Sequence, residues 1–228
     1  MELEKQNNTS VVQEVKEAPL QTIKEEIANA ITHGLGFILS IIGLVVLLYV
    51  SITKGEARHI VSSALYGSSL IILYLFSTLY HSITHETAKK VLRRFDHISI
   101  YLLITGTYMP IVLVSLRGKV GWILFGFQCS FCLLGVIFKA VFGPRFGIVS
   151  AIFYLLMGWI AIFAVKPLAI ALSSKAIAWL IAGGLFYTIG IIFFAIDTKY
   201  NYFHAIWHMF VLAGSIAHFF MVLFYIMP

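Results

Sequence analysis

Long apolar runs alternate with short polar breaks along most of this chain. Seven runs of roughly 20 apolar residues fall near 31–52, 60–82, 96–115, 121–141, 146–165, 176–196 and 204–226, each about the length that crosses a hydrocarbon core as a helix. The runs are continuous rather than alternating residue by residue, which favours helices over a barrel. The breaks carry the charge: Lys54 and Arg58, then Lys89, Lys90, Arg93 and Arg94, then Arg117 and Lys119. Gly143-Pro144-Arg145 and Lys166-Pro167 punctuate the later runs. The predicted fold is all-α, a seven-transmembrane-helix bundle.

Ahead of the first run the pattern changes. Residues 1–19 are polar and lack periodicity, so they read as a disordered tail preceding one membrane domain over 20–228. Leu20, Ile23, Ile27 and Ile31 then recur at helical spacing around Lys24, Glu25 and Glu26. A short amphipathic helix at the interface, running into the first span, is expected. Met1 to Ala30 does not have the basic-then-apolar form of a signal peptide, so the first run is expected to be an uncleaved anchor.

Composition sharpens the class. Hydrophobic residues make up 60% of the 228 and charged residues only 11%, against about a quarter charged in soluble domains. The net charge of +6 does not point to nucleic acid, because no basic stripe with interleaved aromatics is present. With seven spans the termini face opposite sides. The loops and tail on the N-terminal side hold ten Lys/Arg against six on the other, so the positive-inside rule predicts a cytoplasmic N-terminus and an outside C-terminus in the plasma membrane. Cys129 and Cys132 sit one helical turn apart inside a run, without a second pair, and read as small buried residues.

Ionisable residues at membrane depth are costly and by default mark a function. Glu26, Asn29 and His33 precede or open span one; Ser77 and His81 close span two; Asp96 and His97 open span three. Asp197 closes span six, and His204 and His208 open span seven. With alternating directions, all of these fall on the N-terminal side. His204 and His208 are four apart and share a helix face, the arrangement by which two imidazoles reach one zinc ion. His81 could supply a third nitrogen, and three protein ligands with an open position is the catalytic pattern for zinc.

Plainer readings stand beside these. His59, His85 and His218 read as interfacial or hydrogen-bonded residues, His218 bonding a neighbouring helix. Asp197 beside Lys199 reads as a solvated loop pair, and Asp96 after Arg93 and Arg94 as either an interfacial ion pair or part of the site. Glu26, Asn29 and His33 share one helix face and form either a polar network under the site or a cap that orients span one.

Together Glu26-x-x-Asn29-x-x-Thr32-His33, Ser77-x-x-x-His81, Phe95-Asp96 and His204-x-x-x-His208 resemble the haemolysin III family. That family belongs with the progestin and adiponectin receptors, within a superfamily that includes alkaline ceramidases. The resemblance covers about residues 24–225 and looks like a bacterial member. It implies a seven-helix fold with a cytoplasmic N-terminus, and zinc held near that face by His81, His204 and His208. It also implies Asp96 as the carboxylate acting on water at the site, with Ser77 one turn before His81. His97 has no assigned role.

Three functions are then expected in descending order. The first is a zinc-dependent hydrolase acting on a membrane lipid amide or ester, with Asp96 and Ser77 as its catalytic candidates. The second is a non-enzymatic membrane-homeostasis sensor or receptor with structural zinc. The third is a membrane-lytic protein, against which the absence of a charged stripe down successive spans speaks.

Overall fold

The computed structural model describes residues 21–228; the tail expected over 1–19, and Leu20, lie outside them. Among the described residues, seven helices are long and apolar enough to cross a membrane. They are α1 (Ile23–Lys54), α2 (Ala57–Ser82), α3 (Glu86–Pro110, extended by a π-turn over Ile111–Ser115), α4 (Lys119–Phe142), a fifth span in three pieces, α7 (Ser174–Ala195) and α8 (Phe203–Tyr225). The fifth span joins α5 (Gly147–Trp159), a 3₁₀ turn (Ile160–Ala164) and α6 (Val165–Ala171).

The first helix reverses the polarity of a soluble helix. Its buried positions are Glu25, Asn29, His33, Gly36, Ser40, Gly43, Leu47 and Ser51, recurring about every 3.6 positions and, apart from Leu47, polar or small. Ile23, Ile27, Ile31 and Ile38 point outward and are 53–80% exposed. In lipid this orientation is favourable, because tails solvate the isoleucines while polar groups find partners inside. Small residues also let helices approach: a Cβ on Gly36 would sit 2.5 Å from the Tyr74 ring of α2. The amphipathic stretch expected ahead of span one is therefore continuous with it. It starts at a capping box in which Thr22 and Glu25 exchange side-chain-to-backbone hydrogen bonds.

Two boundaries differ from the hydropathy reading. The Lys89–Arg94 cluster, expected in a loop, is helical, and α3 begins ten residues early at Glu86. Lys, Arg and Glu are good helix formers, and hydropathy measures burial rather than backbone state. Lys166-Pro167 does not end the fifth span, which continues to Ala171. Pro167 is the third residue of α6, where its missing N–H has no intrahelical partner to lose. Gly143-Pro144-Arg145 does end a helix, with Gly143 at φ 63° just beyond α4.

An elongated cavity of about 390 Å³ runs inside the bundle, walled mainly by α3, the fifth span, α7 and α8, with His33 of α1 and Leu73 of α2 also lining it. Its lining extends from Asp96 to Ile111 along α3, fifteen residues or about 22 Å of helix. Ile162 and Ile181 belong to its wall and are also 62% and 47% exposed on the outer surface. The cavity thus borders lipid between spans five and six.

Candidate metal centre

The helix ends on the N-terminal side bring three imidazoles together. His81 closes α2, while His204 and His208 occupy the first two turns of α8. Each can present one nitrogen such that all three lie within 4.8 Å of one another. His208 is fully buried and His81 is 4% exposed.

Their hydrogen bonds fix which nitrogen faces inward. His81 Nδ1 lies 2.6 Å from Glu26 Oε2, and His204 Nδ1 lies 2.7 Å from Asp197 Oδ2. His208 Nδ1 faces the Asn29 carbonyl at 3.4 Å and Thr32 Oγ1 at 3.3 Å. Carboxylates and carbonyls only accept, so in each neutral ring Nδ1 carries the proton and Nε2 keeps a lone pair. The three Nε2 atoms are buried and have no hydrogen-bond partner. Buried polar atoms are seldom left unpaired. Three converging imidazole lone pairs, each ring held from behind by an acceptor, is the donor set a divalent metal requires. The three histidines could therefore hold a metal ion.

Around them lies a second layer from α1. His33 stacks on His208, ring centroids 3.5 Å apart at 11°, and its Nδ1 meets Ser77 Oγ at 2.7 Å. Asn29 is fully buried; its amide nitrogen donates to Gln21 and lies 3.5 Å from His81 Nδ1. Glu26 also pairs with Lys89 at 2.8 Å. The cap of α1 itself is made by Thr22 and Glu25, not by these three residues.

Asp96 is 5% exposed and, with His33, forms the polar end of the cavity. It makes no ion pair among the described residues. His97 stays outside the three-histidine group, and its backbone carbonyl accepts from Tyr154. Asp197 corrects the sequence reading: it pairs with His204 rather than forming a solvated pair with the exposed Lys199. Its position seven residues before His204, on the same side of the membrane, was the available signal. His59 and His85 accept backbone N–H bonds at helix starts, and His218 bonds Leu180 O on α7. Cys129 and Cys132 are free thiols, half-buried and buried.

The fold and the cluster together define an integral membrane protein of seven helices with an internal histidine site at one face. The chain belongs to the haemolysin III family: the family described as "Haemolysin-III related" matches residues 21–219. It is similar to Hemolysin-3 of Bacillus cereus, 48% identical over 208 residues covering 91% of this chain and 94% of that protein. The Hemolysin-3 homolog of Bacillus subtilis (strain 168) is 50% identical over 204 residues, 90% of this chain and 95% of the relative. A more distant likeness, 26% over 206 residues, is to the human monocyte to macrophage differentiation factor; it covers 88% of this chain and 84% of that one.

Proposed function

We propose that this protein is a zinc-dependent hydrolase of membrane lipids, cleaving an amide or ester, with the site at the cytoplasmic face. Two observations support the reading: three imidazoles can each present a ligand nitrogen within 4.8 Å of the others, their Nε2 atoms buried and partnerless, and Asp96, at the same end of the bundle, lines an apolar cavity bordering lipid.

His81, His204 and His208 would hold the ion, and their all-nitrogen donor set suits zinc among the common metals. When bound, zinc supplies Lewis acidity and makes water ionise near neutral pH. The chain's own residues do the rest. Glu26 and Asp197 lock His81 and His204 in the metal-binding tautomer. Asp96, facing the cavity, takes the proton from the attacking water and returns it to the leaving group. Ser77 donates to or accepts from His33, so it steadies the ring stacked on His208. The cavity, lined mostly by apolar side chains and open towards lipid, would take an acyl chain drawn from the bilayer.

A sensor with structural zinc uses the same ligands but assigns Asp96 no proton. Lysis, after which two relatives are named, is weaker here because the polar groups converge on one buried cluster instead of lining a path across the membrane. The deciding experiment incubates purified zinc-loaded protein with ceramides, lysophospholipids and fatty-acid esters in mixed micelles. Release of fatty acid by the wild type and its loss in Asp96→Asn with zinc retained supports the hydrolase. Full zinc loading without cleavage of any lipid refutes it.

A further inference from the structure

The cavity has a second polar pole, far from the histidine site. His218 on α8 lines it and is 5% exposed. Its Nε2 lies 3.1 Å from the Leu180 carbonyl of α7, so Nε2 carries the proton and Nδ1 is left as an acceptor. That Nδ1 is buried and has no partner. Gly183 makes the arrangement possible, since a Cβ there would stand 2.3 Å from His218 Nε2.

None of the neighbouring hydroxyls bonds His218 Nδ1. Tyr74 Oη donates to Ser215 Oγ at 2.8 Å, and Tyr187 Oη meets the same oxygen at 2.9 Å. Thr188 donates to Gly184 O and Tyr108 to Gly158 O. His218 Nδ1 is thus an unused acceptor in a largely apolar wall. A saturated chain cannot satisfy it; a hydroxyl can. His208 and His218 lie ten residues apart on one helix, about 15 Å along its axis.

We propose that the cavity selects an acyl chain bearing a hydroxyl well past its middle, which donates its hydrogen bond to His218 Nδ1. The proposal rests on the acyl-chain reading above and adds to it a specificity-determining residue. A hydrogen bond of this kind gives a preference of about five- to tenfold over the plain chain.

The test is competition binding to purified protein in nanodiscs, with octadecanoic, 2-hydroxyoctadecanoic and 12-hydroxyoctadecanoic acids. The wild type is expected to bind the 12-hydroxy acid about five- to tenfold more tightly than the other two. His218→Phe should lose that preference while binding octadecanoic acid within about twofold of wild type, whereas His218→Gln, which keeps an acceptor, should retain part of it. Equal binding of the 12- and 2-hydroxy acids by the wild type overturns the proposal without any variant. So does a preference that survives in His218→Phe. If octadecanoic acid itself fails to bind the wild type, the acyl-chain reading falls and His218 selectivity falls with it.

Discussion

His204 Nδ1 and Asp197 Oδ2 stand 2.7 Å apart, across the connection between the sixth and seventh spans. The aspartate closes one span and the histidine opens the next, so a loop contact orients a ring whose other nitrogen faces the candidate metal centre. Glu26 does the same for His81 from the first helix. Carboxylates behind two of three histidines give the site an outer layer that mutation can probe separately from the ligands.

Asp197→Asn and Glu26→Gln should each weaken zinc binding about 10- to 100-fold, since loss of a carboxylate behind a metal-bound histidine has that order of effect. Chelator competition on purified protein measures this directly. Wild-type affinity in both variants would remove the two carboxylates from the metal's support.

His208→Ala and Asp96→Ala should part company in metal content. Mass spectrometry is expected to find about one zinc per chain in the wild type and in Asp96→Ala, and little in His208→Ala. Zinc lost equally from both would make Asp96 a ligand and not a proton carrier.

Stripping the metal should abolish hydrolysis while leaving the helices in place, because backbone bonds within each span do not depend on the ion. Circular dichroism before and after chelation, followed by zinc add-back, checks this. Collapse of the helical signal on chelation would favour the structural role.

Gly36→Ala should destabilise the bundle by about 1–3 kcal/mol through overpacking. The new methyl would meet Tyr74 at 2.5 Å, and Tyr74 packs edge-on against His33 at 5.0 Å. A lower Tm with weaker zinc binding is the expected pair of results. An unchanged Tm would show that the Tyr74 ring moves aside freely.

Cysteine-accessibility labelling should place Lys90 and Arg94 substitutions on the cytoplasmic side, as the loop charge asymmetry requires. Labelling from outside would invert the orientation and put the site on the other face.

Seven spans were legible in the sequence because each must hide its backbone from lipid within one uninterrupted apolar run. The side of each polar residue followed from counting crossings, which gathered Glu26, His33, His81, Asp96, His204 and His208 at one face. Pattern also paired His204 with His208, because a helix repeats nearly every four residues.

Tertiary structure decided what spacing cannot express. Which ring stands near which carboxylate depends on the rotation of each helix about its axis, so Asp197 reading as a solvated charge gave way to a partner of His204. The start of α3 at Glu86 was hidden because charge masks helicity in a hydropathy profile. The cavity, and the unpaired Nδ1 of His218 beside it, belong to no single segment. They arise where several spans fail to fill the space between them, and only the packing of distant residues determines that.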